Sequence, residues 1–192
     1  TISRRQRQMC IRDRPYGLEK TVSYESGTKL GPKKIIKASH QVELFDEELK
    51  YEPYKKFNLK TLKIDIPKKN LNNALKHLTK TITQVLNMKF FPLTLGGEHS
   101  ITPAIIKSFK NKFSKLTIIQ IDAHADLRNQ YLGNKNSHAT AMRRCLDNKN
   151  VDIIAIGIRN ICKEEFDFAK TNRKKVKLFW AKDITNQSVE KI

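Results

Sequence analysis

A chain of 192 residues is long enough for one domain with a sizeable core. Hydrophobic residues make up 39%, on the low side for a globular domain, and no apolar run approaches the ~20 residues that a bilayer-spanning helix needs. The formal charge is +19, yet the lysines are dispersed and no aromatic residues interleave a basic stripe. The expectation is a solvated basic surface, with no nucleic-acid partner and no membrane partner.

Part of the charge is expected to be foreign. Arg4 to Arg14 reads RRQRQMCIRDR, the translation of a common transposase sequencing adapter. Residues 1–14 are therefore expected to be non-native and are set aside from fold reasoning; the rival reading is a basic arm for nucleic acid or membrane. The segment holds five arginines against Asp13, +4 of the +19, which leaves +15 for the remainder. Cys10 falls inside it. Cys145 and Cys162 remain, with neither metal-site spacing nor a disulfide framework, and a reducing cytoplasm is the expected setting.

Tyr16 to Pro32, with Gly17, Gly27, Gly31 and Pro32, reads as a loop, and Lys33 to His40 as a short helix after the proline. Gln41 to Lys60 is irregular and broken by Pro53; Leu62, Ile64 and Ile66 alternate with polar residues as a short strand does. Leu71, Leu75, Leu78, Ile82, Val85 and Leu86 recur at three- and four-residue spacing, which predicts an amphipathic helix packed on a sheet. His77 lies between these core positions and is assigned to solvent, as is His40. Phe91, Leu93 and Leu95 form a strand; Gly96-Gly97 then permits a sharp turn or a close backbone approach. Helix follows from Ile101, with Ser100 or Thr102 as cap and Pro103 in the first turn. Leu116 to Ile121 is a short β-branched apolar run, read as a buried strand of a parallel sheet. Asn129 to Asn136 is a polar loop, Ala141 to Cys145 a helix, Val151 to Ile158 a buried strand, Lys163 to Lys170 a helix, and Lys177 to Trp180 a strand. This alternation predicts a three-layer α/β/α fold with a mostly parallel central sheet, without a repeat or a second domain.

Open parallel sheets bind ligands beyond the carboxyl ends of their strands. There this sequence places Asp122, His124 and Asp126, and, after the earlier strand, His99. If the strand stays extended, the three alternate residues share one face, and Ala123 and Ala125 keep the other face small. Carboxylates favour Mg, Mn and Ca, and imidazole favours Zn, Cu, Fe and Ni, so the mixed set suggests Mn²⁺ or Zn²⁺. Without a cation the crowded groups would repel one another or shift their pKa values. The bland alternative is an acidic strand end with a histidine capping a loop.

Gly96 to Ser100 (GGEHS) and Asp122 to Asp126 (DAHAD) resemble the first and second metal motifs of the ureohydrolase family, which includes arginase and agmatinase. Ser137-His138-Ala139-Thr140 followed by Met142-Arg143-Arg144, and Thr21-Val22-Ser23-Tyr24 running on to Gly27-Thr28 and Gly31-Pro32, are similar to the agmatinase branch; Ile156-Gly157-Ile158-Arg159 also fits the family. The resemblance covers roughly Pro15 to the end. It implies a hydrolase with two Mn²⁺ ions: His99, Asp122 and Asp126 on one, with Asp122 bridging to a second held by His124. It implies a metal-activated hydroxide that hydrolyses the guanidinium of agmatine to urea and putrescine, with Asp126 and His138 as catalytic residues, His138 shuttling protons near the leaving amine. Arg143 and Arg144 would then repel the cationic substrate and are not expected to contact it. A cytoplasmic homo-oligomer, trimer or hexamer, is implied for the full-length protein.

One departure matters. The family's later Asp-x-Asp motif does not occur after Ile158. Residues 15–192 are accordingly expected to be the N-terminal part of a single ureohydrolase domain, truncated at the C-terminus and inactive by itself. The alternatives are another ureohydrolase (arginase, guanidinobutyrase or formimidoylglutamase), a basic nucleic-acid-binding fragment, or a polypeptide without function whose sheet edge is left exposed.

Overall fold

The computed structural model describes residues 9–63 and 70–184. Among the described residues are six strands, β1 (Met9–Tyr16), β2 (Phe57–Thr61), β3 (Phe91–Gly96), β4 (Leu116–Ile121), β5 (Val151–Ile158) and β6 (Val176–Trp180). Five α-helices accompany them: α1 (Gly31–Ser39), α2 (Leu71–Asn87), α3 (Thr102–Lys110), α4 (Ala141–Cys145) and α5 (Lys163–Thr171). All strand pairs are parallel, as expected for strands joined through helices. They form two three-stranded sheets, ordered β2-β1-β3 and β4-β5-β6, within two compact units, residues 1–98 and 99–192.

In the first unit, β1 lies between β2 and β3, with Ile11 in register with Leu59 on one side and Phe91 on the other. The adapter-like stretch thus supplies the first part of a central strand, although its sequence is not that of one. Asp13 and Arg14 are buried there; Asp13 Oδ2 accepts the Thr61 hydroxyl at 2.9 Å, and the Arg14 guanidinium donates to the Lys63 carbonyl at 2.7 Å. A central parallel strand normally carries apolar side chains on both faces. Backbone pairing needs no particular side chain, so the strand forms in spite of its composition.

Helix α2 is amphipathic as its spacing predicts. Ala74, Leu78, Ile82, Val85 and Leu86 are buried, and the Asn70 side chain caps the helix by accepting the Asn73 N–H at 3.0 Å. His77 does not face solvent as expected: its ring stacks on Tyr16, with centroids 6.4 Å apart, because Tyr16 reaches α2 to donate to the Ala74 carbonyl. Strand β2 lies within the stretch expected to be irregular; four of its five residues are exposed and no apolar alternation marks it. Of the strand expected from Leu62, Ile64 and Ile66, the last two lie outside the described residues. Helix α1 begins at Gly31, before the proline rather than after it.

In the second unit β5 is central. Val151, Ile153 and Ala155 alternate inward, and Ile153 and Ala155 pack with Met142 and Cys145 of α4, Ala169 of α5 and Val176 of β6. Strand β4 is not buried throughout: Ile119 and Ile121 are 65% and 84% exposed. It buries only the face that carries Ile118 and Gln120, with Ile118 packed against the core. Helix α3 starts at Thr102 with Pro103 in its first turn, but neither Ser100 nor Thr102 caps it; a 3₁₀ turn at His99–Ile101 leads into it instead.

Candidate metal centre

Strand β4 stops at Ile121, so the DAHAD run is a turn rather than an extended strand. Its backbone is held at three places. The Asp122 N–H continues the sheet by donating to the Ile156 carbonyl at 3.1 Å. The Ala123 carbonyl accepts the N–H groups of Arg159 and Asn160 at 2.9 and 3.0 Å, and the Asp126 carbonyl accepts those of Met142 and Arg143 at 3.0 and 3.1 Å. Asp126 has a φ of +51°, a left-handed conformation uncommon outside glycine and tolerated best by Asn and Asp.

That turn, rather than strand alternation, brings the side chains together. The His99 Nδ1 lies 2.5 Å from Asp126 Oδ2 and 3.6 Å from Asp122 Oδ2. Among the described residues, His99, Asp122 and Asp126 form the one group whose ligand atoms all fall within 4.8 Å of one another. His124 stands apart from this trio: its side chain is 60% exposed, and its Nδ1 faces the other oxygen of Asp122, Oδ1, at 3.8 Å. The expectation that Asp122, His124 and Asp126 share one strand face is therefore corrected. The left-handed turn at Asp126 redirects its carboxylate toward His99, while His124 is placed beside Asn160 in an isolated parallel bridge.

The donors fit a divalent cation. Burial pulls the His99 imidazolium down, but the hydrogen bond to Asp126 and the charges of Asp126 and Asp122 outweigh it and hold its pKa above the ordinary histidine value. Two carboxylates converge on one imidazole, and a dication there would relieve their mutual repulsion. An imidazole with two carboxylates is a donor set that a borderline or hard ion accepts.

Two further residues shape the site without having been singled out in the sequence. Gln120 is buried and donates through Nε2 to the His124 carbonyl at 3.0 Å and to Asp122 Oδ2 at 3.4 Å. Glu165 is buried and accepts the Leu127 N–H at 2.8 Å. A glutamine in an apolar strand, two residues before a ligand, was the available signal for the first; nothing local marks the second. His138 opens a 3₁₀ turn that packs against the one carrying His99. Ser137 Oγ lies 3.3 Å from its Nδ1, and Tyr131 meets its ring edge-on with centroids 5.5 Å apart. Arg143 stacks over Phe168 at 3.4 Å, and Arg144 reaches Asn129 and Asp147, so both have structural partners.

A parallel α/β chain that gathers an imidazole and two carboxylates beyond its strand ends has the architecture of the arginase-like hydrolases. The Arginase family model matches residues 14–192, and the chain belongs to this ureohydrolase family. It is 36% identical to an agmatinase of Bacillus cereus over 157 residues, which is 78% of this chain and 52% of that protein. It is 32% identical to the N(1)-aminopropylagmatine ureohydrolase of Synechocystis over 179 residues, 90% of this chain and 57% of that one. Formimidoylglutamase from Bacillus subtilis superposes with a TM-score of 0.85 at 24% identity, covering 95% of this chain and 58% of that structure, a likeness of fold. The chain thus spans about half the length of the curated relatives it matches.

Proposed function

We propose that these residues belong to an agmatinase-type amidinohydrolase that uses two manganese ions to hydrolyse agmatine to urea and putrescine. The observation that supports this most directly is the division of the Asp122 carboxylate, with Oδ2 toward His99 and Oδ1 toward His124. With that disposition Asp122 would be able to serve two ions, one beside each histidine. His99, Asp122 and Asp126 would hold one ion, and Asp122 and His124 would contribute to the second. When bound, the pair would supply a water acidic enough to be a nucleophile at neutral pH.

The chain's own groups account for the remaining steps. Asp126 is mostly buried and has its backbone carbonyl fixed by α4, so its carboxylate keeps one position and can orient a nucleophilic water by accepting its hydrogen bond. A guanidinium is a poor electrophile, and its departing amine must gain a proton. His138 is the group proposed to deliver it, since an imidazole exchanges protons near neutrality. Ser137 and Tyr131 fix the plane of its ring. The substrate assignment is supported by relatives named for agmatine and aminopropylagmatine.

The test is urea release by the full-length protein, loaded with Mn²⁺, from agmatine, N1-aminopropylagmatine, arginine and 4-guanidinobutyrate. The expected result is the highest kcat/KM on agmatine; faster release from arginine or guanidinobutyrate would move the protein to another branch. Residues 1–192 alone are proposed to be inactive, and urea release by that span would contradict this. The reading carries with it a cytoplasmic homo-oligomer, and the unpaired thiols of Cys145 and Cys162 fit a reducing compartment. Light scattering of the full-length protein tests the assembly, with a trimer or hexamer expected.

A further inference from the structure

The direction of the Asp126 carboxylate toward His99 depends on the turn that carries it, and φ at Asp126 is +51°, a conformation that costs a non-glycine residue energy and that neighbouring bonds must hold. Support comes from two sides. On one, the Asp126 carbonyl accepts the N–H groups of Met142 and Arg143 from α4. On the other, the next N–H, that of Leu127, donates to Glu165 Oε1 at 2.8 Å across 38 residues of sequence. The second oxygen, Glu165 Oε2, accepts the Cys162 N–H at 2.9 Å and has the Arg128 guanidinium 3.8 Å away. Both oxygens of a carboxylate that is only 5% exposed are thereby used, one on the turn that bears the ligand and one on the start of α5. Its neighbour Glu164 accepts the Asn129 N–H at 2.9 Å, so two successive glutamates grip alternate amides of the chain leaving Asp126.

We infer that Glu165 is a positioning residue for the metal seat, acting through the Leu127 amide on the direction of the Asp126 carboxylate. This rests on the metal-centre reading above. A bond from Glu165 to Cys162 would cap α5 with no reference to the site; the bond to Leu127 is the one that ties the helix to the ligand. A carboxylate suits both partners because it only accepts. In Glu165→Gln one oxygen becomes an NH₂ group that must face a backbone N–H, so one of the two bonds is lost whichever way the amide turns. Groups that orient a metal ligand from behind typically matter by about 10–100-fold in affinity.

The experiment is calorimetric titration of the metal-free full-length protein with Mn²⁺, for wild type, Glu165→Gln and Ile153→Val. Ile153 is a core residue of the same unit, in register with Ile118, four positions before Asp122 along β4, and its substitution controls for a general loss of stability. Glu165→Gln is expected to weaken Mn²⁺ binding about tenfold or more, while Ile153→Val lowers the melting temperature and leaves affinity unchanged. Equal affinity for wild type and Glu165→Gln, or an equal loss in Ile153→Val, would overturn the inference. Absence of Mn²⁺ binding by wild type would instead overturn the metal reading on which it rests. Amide hydrogen exchange on the wild-type protein gives an independent check that needs no variant to fold: Mn²⁺ should slow exchange at Leu127, and an unchanged Leu127 rate on saturation would overturn the inference as well.

Discussion

Two buried glutamates do similar work in the two units, and neither is a ligand candidate. Glu98 accepts the N–H groups of Lys20 and Thr21 at 2.8 and 2.7 Å, while Glu165 accepts those of Leu127 and Cys162. Backbone N–H groups aimed at a buried carboxylate make it a strong clamp on loop backbone. Gly97, next to Glu98, has a different constraint. A Cβ built there would lie 2.4 Å from the Leu18 carbonyl oxygen and 2.6 Å from its nitrogen, both backbone atoms that cannot swing away. Gly97→Ala is expected to destabilise the protein by about 1–3 kcal/mol through overpacking, or more if the loop is displaced. Thermal or urea unfolding checks this; a wild-type midpoint would show that the Leu18 segment does not sit where described.

At the scale of elements, the approach to α1 depends on one side chain. Glu19 accepts the Lys29 N–H at 3.1 Å and the Gly27 N–H at 2.5 Å, and Lys29 Nζ lies 3.3 Å from its other oxygen. The Lys29 and Gly27 backbone bonds lower the Glu19 pKa below its ordinary 4.5, with the Lys29 side chain adding to the shift. The sign follows by linkage. A carboxylate that holds its proton less tightly when folded adds stability above pH 4.5, and that contribution is lost as the pH falls through the lower, folded-state value. The Gly27 amide resonance should therefore titrate with a midpoint below 4.5. A midpoint at or above that value would mean that the loop is not held by this carboxylate. Strand β1 shows the converse case, in which the element forms although its side chains do not suit it: Asp13 Oδ1 is buried with no hydrogen-bond partner among the described residues.

For the whole molecule, the decisive quantity is the coupling between metal and stability. If His99, Asp122 and Asp126 close on an ion only in the folded state, binding must stabilise that state by mass action. At free Mn²⁺ about a hundredfold above Kd the gain is about 2.7 kcal/mol. A cooperative melt of the full-length protein that rises with Mn²⁺ and falls back with chelator is expected. A melting temperature indifferent to both would leave the cluster as an ordinary ion pair.

The sequence by itself determined much of this. Local patterns decide local structure, and so the spacing of Leu71 to Leu86 foretold α2, the apolar runs foretold β3 to β6, and the two motifs placed His99, Asp122, His124 and Asp126 near strand ends. What only the tertiary structure decided depends on residues distant in the chain. Strand β2 forms by pairing with β1, His77 is covered by Tyr16, and Ile119 and Ile121 lie on an uncovered face of β4. Above all, the left-handed turn that separates His124 from Asp126 is held by hydrogen bonds from α4 and from Glu165, whose separation of 38 residues from Leu127 no period along the chain could register.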